Sequence, residues 1–354
     1  MYDSFHPGQV WLDTKGERIQ AHGGSVMYVD GIYYWYGENK EKTTGIDDTW
    51  TWGVRCYTSR DLYNWEDKGL IIQPELNNPQ SSLHPTAMLD RPHIIYNKET
   101  KKYVCWMKIM NPDGTQTSTV MTADHILGPY EMVKEGLRPL NMSAGDFDLV
   151  VAPDGKAYYY FERVHSETIC ADLNREYTDV TGYYSTHFPK SGPPYVREAT
   201  AYVHRDGRHY LITSGTTGYL PNPSEVAVGD TYHGPFTVLG NPHRKDMSHT
   251  SFHSQISSIF KVEGKKDLYI ACADRWVPQH MDLDYEAYRQ YYELAFHPDE
   301  DQRKKAQSLP INLDIIRDYR RNTSIADYVW LPLKFEDDMV YIDWMDEWRL
   351  EDYE

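Results

Sequence analysis

The 354-residue chain carries 53 acidic against 36 basic residues, a formal charge of -17, and no Lys/Arg-rich run, which excludes electrostatic tracking of a nucleic-acid backbone or an anionic membrane. Its hydrophobic fraction of 40% is ordinary, but 30 Tyr and 10 Trp take the place of aliphatic residues, so the core is expected to be built from rings with polar tips. No apolar run approaches the roughly 20 residues of a membrane span, and the opening MYDSFHPGQVWLD lacks the basic start and apolar centre of a secretory leader, so a soluble, cytoplasmic protein is expected.

From the N-terminus onward, one pattern recurs five times. It reads YVDGIYYWYGE around Tyr33, YNKETKKYVCWMK around Tyr103, APDGKAYYYFER around Tyr158, VHRDGRHYLITSG around Tyr210 and KVEGKKDLYIACAD around Tyr269. Each copy is a turn-rich stretch entering a strand of aromatic and aliphatic residues. The successive intervals of 70, 55, 52 and 59 residues match four short strands with their turns, which is the period of a propeller blade. Between the copies lie YTSRDLYNWEDKGL, TADHILGPYEMVKEG and VGDTYHGPFTVLG, expected to form the outer strand pairs. A β-sandwich with chance Asp-Gly turns is the alternative, but sandwiches rarely repeat at so long an interval.

Residues 282–322 break the repeat. DYEAYRQYYELAF and DEDQRKKAQSL have helical spacing and composition, and INLDIIRDYRRN suits another short helix, so a helical insertion is expected here. The tail DYVWLPLKFEDDMVYIDWMDEWRLEDYE returns to strand-like alternation and is expected to complete the last blade, with the two ends of the chain closing the ring and removing exposed sheet edges. The expectation is therefore an all-β, five-bladed propeller in which residues 1–354 form one catalytic domain. Cys56, Cys105, Cys170 and Cys272 lie far apart without a CxxC spacing, which favours buried thiols over zinc or redox chemistry.

Propeller ligands bind where the inner strands converge, so polar residues bordering each repeat core are the candidates. They are His22, Glu38, Asp90, Asp146, Glu198, Gln255 and Arg275, with Trp35, Tyr36, Trp106, Tyr219 and Trp276 available to stack on sugar faces. Taken singly, each has a plainer reading: Glu198 as a surface carboxylate, Asp90 as a partner of Arg91, each aromatic as core. Their recurrence at one phase of the repeat argues for a shared axial site. Carboxyls on opposite sides of a channel suit inverting glycoside hydrolysis, in which an acid and a base stand roughly 6.5 to 9.5 Å apart.

The segments QAHGGSVMYVDGIYYWYGENK, VRCYTSRDLYNWEDKGL, DRPHIIYNKETKKYVCW, REATAYVHRDGRHYLITSGTTGYLPN, SQISSIF, ADRW and YVWLPL together resemble glycoside hydrolase family 43 over nearly the whole chain, most nearly its exo-β-1,3-galactanase branch. The resemblance implies a five-bladed propeller and an inverting, exo-acting hydrolase that releases terminal galactose from β-1,3-linked galactan or arabinogalactan-derived oligosaccharides. It implies Glu198 as general acid, because REATA resembles the branch's REAPA motif, with Thr200 in place of proline. Most of the family carries a general-base Asp in an HDP-like motif where this chain has His22, Gly23 and Gly24. In the galactanase branch a glutamine in an SQS-like motif is thought to stand in, which Gln255 matches, while Asp90 is the rival as base or as a holder of the sugar ring. Asp146, with Asp148 as its rival, resembles the carboxylate that orients the acid and keeps its pKa high. Glu38, Thr217 and Arg275 fall in motifs that line the sugar pocket, and His22, Gly23, Trp106, Tyr219 and Trp276 are the further expected substrate contacts.

The alternatives are another specificity within the family, such as α-L-arabinofuranosidase, β-galactofuranosidase or β-xylosidase, and a non-catalytic carbohydrate-binding propeller, motivated by the missing Asp. The expected partner is an oligosaccharide or polysaccharide substrate, with neither nucleic acid nor membrane. The insertion is expected either to wall the pocket or to support a homo-oligomer. No cofactor is required by this chemistry; a structural cation in the channel, faced by His22 or His253, is the one allowance.

Overall fold

Two of the three Asp-Gly pairs of the repeat form two-residue hairpins. Asp30 and Gly31 have φ of 49° and 83°, and Asp206 and Gly207 have 50° and 77°. Two consecutive left-handed residues give the turn whose twist matches that of the paired strands, and Asp with Gly tolerates it. The first pair joins β1 (His22–Val29) to β2 (Ile32–Glu38), with Val29 opposite Ile32.

The computed structural model describes residues 1–318 and 321–354. Four antiparallel sheets have four strands each in sequential order. Blade 1 adds β3 (Val54–Ser59) and β4 (Glu66–Ile72) to the first hairpin. Blade 2 is β5 (Met88–Asn97), β6 (Lys102–Met110), β7 (Gln116–Ala123) and β8 (Glu131–Leu137). Blade 3 is β9 (Ala144–Val151), β10 (Ala157–Arg163), β11 (Glu167–Leu173) and β12 (Val180–His187). Blade 4 is β13 (Glu198–Arg205), β14 (Arg208–Ser214), β15 (Glu225–Gly229) and β16 (Phe236–Gly240). Blade 5 has three strands, β17 (Gln255–Lys261), β18 (Tyr269–Arg275) and β19 (Asp327–Pro332), followed by the small hairpin β20 (Lys334–Glu336) and β21 (Met339–Tyr341). The inner strands close a ring: β1 packs on β5 and β17, and β9 and β13 complete the circle. This is the five-bladed propeller expected from the repeat.

Rings fill the spaces between blades. Trp35, Trp65 and Trp330 are buried together, with Trp35 and Trp330 centroids 4.5 Å apart. All four cysteines are buried free thiols. The two chain ends meet as a single bridge and not as a shared strand: Phe5 and Trp348 exchange backbone hydrogen bonds of 2.9 and 3.1 Å and their rings stack at 4.2 Å.

The insertion separates β18 from β19 and contains α1 (Tyr285–Ala295), α2 (Glu300–Ala306) and α3 (Leu313–Arg317). Asp284, Asp299 and Asn312 cap their N-termini by accepting backbone N–H groups that would otherwise lack partners. The helix expected over INLDIIRDYRRN is α3, confined to five residues; residues 319 and 320 of that stretch lie outside the described residues. Among the described residues no helix is long and apolar enough to cross a membrane.

One irregularity repeats in every blade. Each inner strand has one residue more than its partner near its start, at 22–25, 90–93, 144–147, 198–201 and 256–258. A bulge of this kind bends the strand and re-aims the neighbouring side chains. In three blades the residue after the first is left-handed: Gly23 at φ 60°, Arg91 at 54° and Ala199 at 49°.

Candidate active site

The five bulged strand starts surround a cavity of about 250 Å3. Glu38 reaches it from blade 1, Asp90, Arg91 and Lys108 from blade 2, Asp146 from blade 3, Glu198 from blade 4 and Gln255 from blade 5. Its aromatic wall is Trp50, Tyr219 and Trp276, with Trp50 stacked on Tyr219 at 5.7 Å and Tyr219 tilted against Trp276 at 5.1 Å.

The floor is a network of paired charges. Lys108 Nζ donates to Asp146 at 2.8 Å and lies 3.1 Å from Asp90, while Arg91 Nε is 3.0 Å from Asp146. Burial alone would raise the Asp146 carboxyl, but the adjacent Arg91 guanidinium and Lys108 ammonium outweigh it and hold it at about 2. Burial disfavours the Lys108 charge too, yet Asp146 and Asp90 keep its pKa above the ordinary lysine value. Asp90 also accepts the Trp50 indole N–H at 2.7 Å.

Glu198 shows the opposite shift. It is enclosed by protein except where it faces the cavity, and this desolvation, reinforced by the Asp146 and Glu162 carboxyls, pushes its pKa well above the ordinary glutamate value. Glu162, buried behind Asp146 at the end of β10, is raised to about 7 by burial and by Asp146, although it accepts the His165 N–H at 2.7 Å. Glu38 is raised to about 7, first by burial and then by Asp90, against the pull of Lys40 at 2.8 Å and the Arg91 N–H at 2.9 Å.

The Gln255 amide is fully engaged. Its oxygen accepts from Arg91 Nη2 at 2.7 Å and Trp276 Nε1 at 3.4 Å, and its nitrogen donates to Ser214 Oγ at 2.9 Å and Glu198 Oε1 at 3.4 Å. The Arg91 guanidinium and the neutral Trp276 indole on the oxygen fix the orientation of the amide and turn its N–H toward Glu198.

Several sequence candidates lie away from the cavity. Trp106 is wholly buried between blades 2 and 3, its indole N–H donating to the Tyr177 carbonyl at 2.8 Å, because the strand pleat turns it outward from the axis. Trp35 and Tyr36 are core residues as well. Thr217 is buried in a turn, donating to the Leu220 carbonyl and accepting from Asn222, while its neighbours Thr216, Gly218 and Tyr219 line the cavity. Arg275 turns away to tie the carbonyls of Gly8, Phe252 and His253. His22 is buried beneath the site, paired with Asp274 at 2.9 Å and stacked on Tyr328 at 4.7 Å. Gly23 acts through space: its N–H donates to Asp274 at 3.0 Å, and a Cβ there would come within 2.4 Å of Glu38 Oε1. Asp148 bonds the Tyr202 N–H and His93, so of the two aspartates it is Asp146 that lines the cavity. Among the described residues no group of three or more His, Cys, Asp or Glu side chains is placed to hold a metal ion.

Lys108, Arg91, Trp50 and Glu162 were not singled out in the sequence. The available signal was a charged residue in the later part of an otherwise largely apolar strand, in KYVCWMKIM and AYYYFER; Lys108 is also the cross-strand partner of Asp90. The insertion contributes Tyr292, Phe296, Ile316 and Arg321 to the cavity wall, which places it over the site.

Carboxyls of opposite protonation preference around a sugar-sized axial cavity place the chain among the propellers that process carbohydrate. The family model for glycosyl hydrolases family 43 matches residues 19–282, and the chain belongs to that family. No protein of curated function matches the sequence. Among solved structures, a family 43 β-1,3-galactosidase, BT0265, is 28% identical with a TM-score of 0.77 over 99% of this chain, which spans 65% of that one. A second, BT3683, solved with galactodeoxynojirimycin, is 25% identical with a TM-score of 0.76 over 98% of this chain and 100% of its own. An exo-β-1,3-galactanase from Phanerochaete chrysosporium, solved with β-1,3-galactotriose, shares the fold at 22% identity and a TM-score of 0.78, over 99% of this chain and 68% of its own.

Proposed function

We propose that the protein is an inverting, exo-acting glycoside hydrolase that removes terminal galactose from β-1,3-linked galactan-derived oligosaccharides, with Glu198 as the general acid. The observation that carries this reading is the contrast between Glu198, biased toward its protonated form, and Asp146 beside it, held as a carboxylate by two cations. A protonated carboxyl can give its proton to the leaving oxygen as the glycosidic bond breaks, and the adjacent negative charge keeps it loaded until then. The galactose specificity is supported by the β-1,3-galactosidases with which the chain shares 28% and 25% identity.

Of the two candidates for the base, the contacts of Gln255 speak against it, and the reading takes Asp90, which also lines the cavity. Inversion needs acid and base on opposite faces of the sugar, roughly 6.5 to 9.5 Å apart, whereas the Gln255 nitrogen touches Glu198 at 3.4 Å. Its oxygen is also occupied by the Arg91 guanidinium, which lowers what basicity an amide has. In the proposed step a water oxygen forms the new bond to the anomeric carbon, its proton passes to Asp90, the bond to the leaving oxygen breaks, and that oxygen takes the Glu198 proton. Gln255 would hold Glu198 and the terminal sugar in register.

Hydrolysis of β-1,3-galactobiose followed by NMR tests the reading, because α-galactose must be the first-formed anomer. Glu198→Gln is expected to lower kcat by about 10² to 10⁴, the usual worth of general acid catalysis. Full activity in that variant, release of β-galactose first, or turnover of aryl arabinofuranosides or xylosides with none of galactobiose would overturn the proposal.

A further inference from the structure

The cavity is chemically two-sided. Glu38, Asp90, Gln255 and Trp50 on blades 1, 2 and 5 offer carboxylates, an amide and an indole, while the insertion adds the rings of Tyr292 and Phe296. These two lie one helical turn apart along α1 and its C-terminal end, and their rings are within 9° of parallel at 6.5 Å. Tyr292 is fixed by donating its hydroxyl to the Thr217 carbonyl at 2.8 Å, and Tyr288, on the same helix, by donating to the Pro221 carbonyl, so α1 is anchored on blade 4. Phe296 rests edge-on against His165 of blade 3 at 4.9 Å and stays 41% exposed. The helix therefore crosses from the blade that bears Glu198 to the blade that bears Asp146.

Resting on the reading of Glu198 as the acid, we infer that the Tyr292–Phe296 face of α1 binds the sugar on the leaving side of the scissile bond, and that it favours short oligosaccharides over long chains. The acid must sit at the leaving oxygen, so the leaving sugar lies toward blade 4, on the side where α1 is anchored. An aromatic ring exposed at the rim of a polar cavity leaves apolar surface in water, which the C–H face of a sugar can cover. A polymer leaving the same way runs into the helix and the Phe296–His165 contact, whereas one or two sugars end before it. The plainer alternative, that α1 only braces blades 3 and 4, leaves the exposed ring without effect on substrate choice.

The test compares β-1,3-galactobiose, polymeric β-1,3-galactan and β-galactosyl fluoride, whose leaving group carries no sugar. In Phe296→Ala, kcat/KM for galactobiose should fall about threefold to tenfold relative to that for the fluoride, the range of one aromatic contact, with Phe296→Trp restoring the disaccharide. In the unaltered protein, galactobiose should exceed the polymer in kcat/KM per chain end. An unchanged ratio of galactobiose to fluoride in Phe296→Ala, an equal loss on both, or a polymer cleaved as well as the disaccharide would overturn the inference. Failure of the unaltered protein to release galactose from fluoride and disaccharide alike would instead overturn the hydrolase reading. Because Phe296 is exposed at a helix end, its removal leaves the core intact.

Discussion

The floor and the wall of the cavity hold similar groups in opposite states. On the floor, Asp146 has a guanidinium and an ammonium within 3.0 Å and stays ionised down to about pH 2. On the wall, Glu198 is raised by burial and then by the carboxyls of Asp146 and Glu162, which outweigh the pull of Lys108 and Arg91. Desolvation acts on both in the same direction, so it cannot account for the difference. Neighbouring charge decides which carboxyl keeps its proton, so that of two adjacent groups one stays an anion and the other stays an acid.

The most damaging way to break this contrast is to remove the ammonium shared by Asp90 and Asp146. Lys108→Met leaves two nearly buried carboxylates undercompensated and should cost about 3 to 5 kcal/mol in urea unfolding, as expected when one partner of a buried ion pair is deleted. Glu198 also feels this ammonium and would be biased further toward its protonated form, and a loss below the size typical of an exposed pair would show that the floor is open to water.

Asp146→Asn tests the coupling itself. With the negative charge gone, Glu198 should lose its proton at lower pH, so the alkaline limb of the kcat profile moves down. The same variant should change acid stability. The Asp146 carboxyl lies at about 2 in the folded chain, below its ordinary value of 3.8, so its contribution is present above about pH 4 and is lost as pH falls through 2. Unfolding midpoints of the variant should therefore vary less across that window, and parallel curves would refute the pairing.

Glu162→Gln should have the smallest effect on the rate. The residue does not line the cavity, so KM should hold while the alkaline limb moves in the same direction by less than in Asp146→Asn. Its folded pKa of about 7 lies above the ordinary 4.5, so the native chain holds a proton that the unfolded chain has released, and stability falls as pH rises from about 4.5 through 7. The glutamine variant should lose less stability than the parent between pH 5 and 8, a comparison accessible to thermal unfolding.

The blade repeat was legible because a hairpin turn and an aromatic strand leave a local signature, and the helices of the insertion because capping and composition are local too. Glu198, Asp90, Asp146, Gln255 and Glu38 were picked out as candidates because they border the repeat cores, and all five line the cavity. Trp106 and Arg275 were assigned to the pocket because sequence phase locates a residue along a strand without saying which face its side chain takes. Thr217 was misassigned by a single position, its hydroxyl being consumed by a turn. Trp50 and Phe296 reach the cavity through loop and helix paths that no periodicity encodes.

The extra residue at the start of each inner strand has a consequence for how such a molecule can change. Because the backbone kink, and not the nature of the side chain, aims the adjoining positions at the axis, each blade offers an interchangeable socket. An aspartate, an amide or a histidine can occupy it while the ring keeps its shape, so new specificities can arise by refilling sockets one at a time, provided the charges around the hub are rebalanced with each exchange.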